Sequence, residues 1–516
     1  MTTDGIDRRT MAAHEAGPIR VSVVVPVFRP GAAIDPLIAS LDAQTLAQDR
    51  FEVLLCDDGS GDETAAQLEA IARERPHVRV LSLPHSGWPG TPRNRGIDEA
   101  RGTFVQLVDQ DDHLFPEALE RLCDVADEHG SDVVVGREVG VGRAIPEAIF
   151  RRDVFDARLG VDPLLQMLTP HKMFRTAFLR QHGIRFPEGR VRLEDHLFVM
   201  QAYFAADVIS ILASTPCYAW VKQPGSASSS RIEPETYYPH LETVLDVVEQ
   251  HTEPGELRDR LLGHWLRSKI LKRLTGRQML RYPDAYRERL LDVVTPLVER
   301  RFGLGVDAGL SGPNRLRVAL LRAGRRADLL ALAAEEVRAS VGTAQLVDAR
   351  WSRGGGLRLR LRLRLTDDAA EAWHGPPWLG DLYAEVLGES PVDRVDLLVR
   401  GVDGGHDRRI GSCVVDAHGV ASVSIDPIRA FGADAGGTDL PLLVRARRAG
   451  GDVDAAVRVD PSVVAAAGRS PLLAGRRTTL VTGLDGVALH RAWPSGRMRD
   501  AAARASRRVR RMRRTS

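Results

Sequence analysis

The chain has 516 residues, 43% hydrophobic and 27% charged. That composition excludes wholesale disorder or a fibrous repeat and leads one to expect about three domains of roughly 150 residues. Lys and Arg total 71 against 69 Asp and Glu, a net charge of +2, which argues against a surface built throughout for nucleic acid. Apolar runs such as Val23 to Phe28 fall far short of the ~20 residues a membrane-crossing helix needs.

Residues 1–19 read as a disordered leader, with Arg8 and Arg9 followed by no apolar stretch, so no signal peptide is expected. Val21 to Val27 predicts a buried strand, closed by the Arg29-Pro30-Gly31 turn. Ile34, Leu37, Ile38 and Leu41 then share one helix face. Phe51 to Cys56 predicts a second strand ending in Asp57-Asp58-Gly59-Ser60, and Val78 to Leu83 a third, with a helix carrying Leu68 and Ile71 between them. Thr91 to Ala100 predicts a helix with Thr91 as N-cap and Pro92 at its first position. Phe104 to Val108 predicts a fourth strand, ending in Asp109-Gln110-Asp111-Asp112. A helix over Pro116 to His129 and a short strand over Asp132 to Val135 follow. The alternation predicts a mostly parallel α/β sheet covered on both faces, with ligands at its strand ends.

The stripe Leu241, Val244, Leu245, Val248 opens a helical linker assigned to residues 236–340. Beyond it the period becomes two. Leu357, Leu359, Leu361, Leu363 and Leu365 alternate with arginines at 358, 360, 362 and 364, the pattern of a half-buried strand. Val395 to Val399, Ser412 to Val415, Ala421 to Ile425, Leu442 to Ala446 and Ala455 to Val459 predict further strands. Residues 341–494 thus predict a β-sandwich of immunoglobulin-like size. The tail, residues 495–516, carries nine arginines from Arg497 to Arg514 against Asp500; it suits an anionic membrane leaflet, or is simply solvated. Cys56, Cys123, Cys217 and Cys413 lack metal or redox spacing and read as buried apolar side chains in a reducing cytoplasm.

Five motifs carry chemistry. Asp58 at the end of the second strand suits a base edge or ribose, or a plain turn. The loop Gly87-Trp88-Pro89-Gly90 runs into a helix start with Arg93 and Arg95, an arrangement that favours an anion; solvated arginines are the alternative. The carboxylates of Asp109, Asp111 and Asp112 repel one another unless a cation compensates, and oxygen ligands suit Mg²⁺ or Mn²⁺. Glu194-Asp195 opens an apolar helix, where acidic residues are favourable anyway and one could act as general base. Lys222 to Arg231, rich in Gly and Ser, suits a lid or an interdomain linker.

Taken in order, the strand with Pro26, Asp57-Asp58-Gly59-Ser60, Arg93-Asn94-Arg95-Gly96-Ile97, Asp109-Gln110-Asp111-Asp112 and Glu194-Asp195 resemble a family 2 glycosyltransferase with the GT-A fold. The stretches His171-Lys172-Met173-Phe174 and Gly183-Ile184-Arg185-Phe186 share that likeness, which covers residues 20–235. The resemblance implies a nucleotide-sugar donor, with Pro26, Phe28 and Asp58 around its base and ribose and Arg93 at its diphosphate. It implies Asp109 and Asp111 as the metal-binding pair, with Asp109 also near the ribose, and Asp195 as base of an inverting transfer, supported by Glu194. The helical linker plus β-sandwich resembles the layout of wall teichoic acid glycosyltransferases. That second likeness implies a polymeric or lipid-linked glycan acceptor, work at the inner face of the plasma membrane, and self-association or polymer binding through the C-terminal domain. A nicotinamide oxidoreductase would need a Gly-rich fingerprint after the first strand, where Phe28-Arg29-Pro30-Gly31-Ala32-Ala33 stands instead. A catalytically inactive glycan-binding scaffold on the same fold is the alternative.

Overall fold

The computed structural model describes residues 18–146, 148–223, 231–338, 343–364, 377–388, 394–399, 408–416, 419–431, 439–448, 451–472, 477–483 and 486–491. The chain divides into two compact units, Met1–His264 and Trp265–Ser516. The leader up to residue 17, most of the Gly/Ser-rich segment (224–230) and the basic tail lie outside the described residues.

The first unit is built on an eight-stranded sheet. Its strands are β1 (Val21–Val27), β2 (Phe51–Asp57), β3 (Val78–Ser82), β4 (Phe104–Leu107), β5 (His113–Leu114), β6 (Val133–Val141), β7 (Met173–Arg175) and β8 (Ile209–Val221). They lie in the order β3-β2-β1-β4-β7-β6-β8-β5. The first four are mutually parallel, as their uninterrupted apolar runs predict. β7 runs antiparallel to both β4 and β6, β8 is parallel to β6, and β5 runs antiparallel to β8. Six strands thus share one direction, the mostly parallel sheet expected, and β5 and β7 make it mixed. β5 and β7 span two and three residues, too few for a period to show in the sequence.

Six helices cross between these strands: α1 (Asp35–Asp42), α2 (Asp62–Glu74), α3 (Gly90–Glu99), α4 (Ala118–Glu128), α5 (Thr176–Gln181) and α6 (Glu194–Ala205). α1 buries Leu37, Ile38 and Leu41 beside Ile34 of the preceding turn, the stripe expected from their spacing. The core packs these against Val21, Val23, Val25 and Val27 of β1. The chain runs from β1 outward to β3, then returns to place β4 on the other side of β1. Such a reversal leaves a crevice at the carboxyl ends of the strands, here β1 and β4. α3 starts after Pro89, with no side-chain cap, so Thr91 lies inside the first turn rather than at the N-cap. Gly96 lets α3 approach β1: a Cβ there would meet Val24 Cγ1 at 2.2 Å and Cys56 Sγ at 3.0 Å. Gly96→Ala should therefore lower stability by about 1–3 kcal/mol, as overpacking of a tight core does, read as an earlier midpoint in denaturant unfolding.

α7 (Pro234–Gln250) and most of α8 (Glu256–Trp265) belong to the first unit, and a short π turn (Leu266–Ile270) follows. The second unit continues with α9 (Gly276–Arg281), α10 (Asp284–Arg301), α11 (Leu304–Ala308), α12 (Gly312–Arg322) and α13 (Arg326–Arg338). Its β layer comprises β9 (Thr343–Trp351), β10 (Leu357–Arg364), β11 (Arg394–Val399), β12 (Arg408–Val414), β13 (Val420–Ile425), β14 (Asp439–Arg448), β15 (Gly451–Val459), β16 (Thr478–Gly483) and β17 (Gly486–Arg491). Seven of these form one path, β12-β11-β14-β15-β9-β10-β13, and the β16–β17 hairpin joins through β14. Leu357, Leu359, Leu361 and Leu363 enter one core with Val395, Leu397, Val444 and Leu489. Three helices that the period-two pattern did not predict interrupt the layer: α14 (Pro377–Leu387), α15 (Pro427–Phe431) and α16 (Pro461–Ala467). Cys56, Cys123 and Cys217 are buried and free, and burial pushes each thiol up to about 12; Cys413 is half-buried.

Candidate active site

A cavity of about 560 Å³ opens where β1, β2 and β4 end. Pro26 and Phe28 reach it from β1, Asp58 from β2, Arg93 from α3, Asp109 and Asp111 from the turn after β4, and Glu194 and Asp195 from the first turn of α6. All eight residues that the resemblance marked for donor, metal or base line this one space, as does Asp112, whereas Arg95 is exposed outside it.

On one wall, Asp58 is buried and its carboxylate holds the loop leading to α3. Oδ1 accepts from the Ser86 amide at 2.8 Å and the Ser86 hydroxyl at 2.6 Å, and Oδ2 accepts from the Gly87 amide at 3.0 Å. His85, so positioned, stacks on Phe28 with ring centroids 4.5 Å apart, giving a flat apolar surface with Phe28 38% exposed. Gly59 permits this closeness, since a Cβ there would stand 2.7 Å from the His85 nitrogen and its φ is +68°. Gln110 ties the ends of β1 and β4 by accepting from the Phe28 amide at 2.8 Å and donating to its carbonyl at 3.1 Å.

The opposite wall is a buried charge network. The Arg93 guanidinium, on a side chain only 4% exposed, donates through Nη2 to Asp109 Oδ1 at 2.6 Å and places Nη1 3.7 Å from Glu194 Oε1. Its Nε and Nη1 are buried without a hydrogen-bond acceptor, an arrangement that costs free energy. Asp109 Oδ2 faces His171 Nε2 at 3.2 Å, and His171 Nδ1 lies 3.5 Å from Glu138 Oε2. The imidazole lies flat on Tyr218, 4.1 Å between centroids. The Tyr218 hydroxyl donates to Asp112 Oδ2 at 2.6 Å and accepts from the Asp109 amide at 3.1 Å. Asp112 Oδ1 accepts from the Val221 amide at 2.7 Å.

Burial works against the charge on Asp109, but Arg93 and His171 outweigh it and hold this carboxyl below the usual range. His171 is likewise buried, yet Glu138 and Asp109 raise it to about 9. Asp112 is pushed up to about 7, chiefly by burial. Glu194 is pushed up to about 7 by burial and by Asp195 beside it, against the pull of Arg93. Leu193, at φ 61° and ψ 26°, precedes these two acids in the left-handed region, a strained posture that aims the first turn of α6 into the cavity.

Asp109, Asp112 and His171 bring ligand atoms within mutual reach, as a metal site would. Their atoms are already engaged with Arg93, Tyr218, Val221 and Glu138. Asp111 differs. Among the described residues no other side chain pairs with its carboxylate, and burial and Asp109 push it up. A divalent cation would relieve that repulsion, and carboxylate oxygen suits Mg²⁺ or Mn²⁺; Asp109 would have to exchange its contact with Arg93 or His171 to share it. Sequence reasoning assigned no role to His85, Gln110, Glu138, His171, Tyr218 or Trp220. Their contacts depend on pairings far apart in the chain, and only the His171-Lys172 motif gave a local signal. No described helix is long and apolar enough to cross a membrane.

Comparison with known proteins matches two stretches of the chain to described domain families. Residues 22–186 match Glycosyl transferase family 2, and residues 234–333 match the Glycosyl transferase TarS linker domain. The chain thus carries a family 2 glycosyltransferase domain followed by a TarS linker domain. Among curated proteins it is similar to the poly(ribitol-phosphate) beta-N-acetylglucosaminyltransferase TarS of Staphylococcus aureus, 34% identical over 48% of this chain and 44% of that protein. It is also similar to the poly(ribitol-phosphate) beta-glucosyltransferase of Bacillus spizizenii, 31% identical over 45% of this chain and 37% of the other. The chain therefore spans less than half the length of these two relatives. The crystal structure of S. aureus TarS 1-349 in complex with UDP-GlcNAc superposes with a TM-score of 0.56 at 26% identity, over 68% of this chain and 98% of that one. The longer S. aureus TarS structure, at 21% identity and a TM-score of 0.58 over 92% of this chain and 85% of that one, shows the likeness of fold.

Proposed function

We propose that this protein is an inverting, metal-dependent glycosyltransferase moving a sugar from a UDP-sugar to a hydroxyl of a cell-envelope polymer, poly(ribitol phosphate) by the likeness to its relatives. The observation that carries this reading is Arg93, a cation lining a cavity that acidic groups bound on both sides. A diphosphate entering that cavity would meet the guanidinium, whose planar fork suits it. The Phe28–His85 surface offers a stacking plane for a base, and Asp58 keeps the adjoining loop in place. Asp195 is proposed to take the proton of the acceptor hydroxyl as it attacks, with Glu194 shaping the field around it. Mg²⁺ or Mn²⁺ held by Asp109 and Asp111 would neutralise charge on the departing nucleoside diphosphate.

The finer architecture belongs to the same proposal: a catalytic domain over 20–235, a linker over 236–340 and an immunoglobulin-like sandwich over 341–494, supported by the antiparallel pairing of most strands in the C-terminal layer. So do a cytoplasmic location, membrane contact through the arginine-rich tail and self-association through the C-terminal domain. The test is a donor screen. Purified protein with Mn²⁺ or Mg²⁺ should release UDP from UDP-GlcNAc or UDP-glucose, label poly(ribitol phosphate), and lose both activities when EDTA removes the metal. Failure to bind any UDP-sugar by calorimetry would overturn the reading in favour of a non-catalytic scaffold.

A further inference from the structure

The first turn of α6, which carries Glu194 and Asp195, opens without a side-chain cap. Leu193 stands at the N-cap in the left-handed region, φ 61° and ψ 26°, and its side chain has no atom to accept from the turn. A leucine holds that posture only where its surroundings impose it. Part of the restraint comes from α7, the helix that opens the linker domain. The Arg192 amide, directly before Leu193, donates to His240 Nδ1 of α7 at 3.1 Å, a contact across 48 residues. Accepting at Nδ1 requires a neutral imidazole with its proton on Nε2. Burial lowers the His240 pKa from its ordinary value and so favours that form. At the far end of α6, Phe204 stacks on His251, just past the end of α7, with ring centroids 5.0 Å apart. The two helices are thus pinned together at both ends.

The Arg192 side chain extends the link to the cavity. Its guanidinium lies 5.5 Å from the centroid of the Trp88 ring, and Trp88 lines the cavity wall. One residue therefore meets α7 through its backbone and the loop before α3 through its side chain, immediately ahead of the two acids. We propose that His240 is a positioning residue: by accepting from the Arg192 amide it fixes the left-handed turn at Leu193, and with it the direction in which Asp195 and Glu194 enter the cavity. That this direction matters for proton transfer rests on the reading of Asp195 as base given above. A base must stand within hydrogen-bond reach of the hydroxyl it serves, so a loosened turn costs rate before it costs donor affinity. The linker domain thereby takes part in the chemistry through its first helix.

The test compares the full-length wild type with His240→Phe and His240→Asn. Phenylalanine fills the space of the ring and offers no acceptor; asparagine is smaller but keeps an oxygen about where Nδ1 stands. His240→Phe is expected to lower kcat for sugar transfer roughly ten- to a hundredfold while calorimetric UDP-sugar affinity stays unchanged, and His240→Asn to recover most of the rate. Amide hydrogen exchange over residues 189–197 gives a readout that needs no turnover: faster in the phenylalanine variant, close to wild type in the asparagine variant. Equal kcat in all three proteins would overturn the proposal. So would equal loss in both variants, which marks a packing role, or a fall in donor affinity in step with kcat, which places the effect on the donor wall. If the wild type transfers no sugar from any UDP donor, the transferase reading fails, and exchange alone decides whether His240 sets the start of α6: a difference between the variants upholds it, and its absence removes it.

Discussion

Asp195→Asn is expected to lower kcat for sugar transfer by roughly 10²–10⁴, the range of a positioned general base, while leaving UDP-sugar affinity nearly unchanged. The separation follows from geometry. Asp195 opens α6 and faces the cavity, whereas the groups assigned to the diphosphate and base, Arg93, Phe28 and Asp58, stand on other elements. Asparagine keeps the side chain's size and leaves an oxygen to accept from the His196 amide, which Asp195 Oδ1 now does at 2.8 Å, so the helix start should survive. The measurement is steady-state transfer together with calorimetric donor binding on the same preparation. A variant that loses donor binding in step with turnover would show that Asp195 holds substrate rather than protons. Unchanged turnover would remove it from the mechanism.

The second large effect concerns Arg93. Arg93→Ala should cost about 1–3 kcal/mol of stability, because it takes the closest cation from the half-buried Asp109 carboxylate and leaves it His171 alone. It should also weaken UDP-sugar binding strongly, because the cavity loses a cation proposed to face the diphosphate. Lysine should restore part of the stability and little of the binding, since a point charge lacks the second donor of the fork. The pH dependence has a definite sign. Asp109 has a folded-state pKa below its ordinary value of about 3.9, so its stabilisation is fully present above that pH and is lost as pH falls towards the folded value. The stability gap between wild type and Arg93→Ala should therefore be wide near neutrality and shrink in acid. Denaturant unfolding at about pH 7 and about pH 2 reads it directly. A gap independent of pH would mean that Arg93 acts by packing over Phe186, 5.2 Å from its guanidinium, rather than by charge.

The sequence was informative where local chemistry is sharp. Carboxylates after apolar strands marked Asp58, Asp109 and Asp111, and the leucine–arginine alternation marked β10 with its faces correctly assigned. It was silent where a role depends on a distant partner. His171 reaches Asp109 across 62 residues, and Tyr218 meets Asp112 across 106. Two strands in the other half of the sheet escaped notice for a related reason. β7 spans three residues, and β8, at thirteen, mixes Ser, Thr and Pro into its apolar run, so neither displays a clean period. The helix start at Pro89 instead of Thr91 has a long-range cause too: Asp58 pins Ser86 and Gly87, and the chain enters α3 two residues early.

The bond between Tyr218 and Asp112, with its companion from Tyr218 to the Asp109 amide across 109 residues, has a kinetic corollary. Contacts of such separation require closing a long loop before they yield anything in return, so they form slowly and late. The polar wall of the cavity is therefore a finishing step of folding. Recovery of binding to the proposed UDP-sugar after dilution from denaturant should lag behind recovery of helical structure, and a chain that binds it has these distant segments already in place.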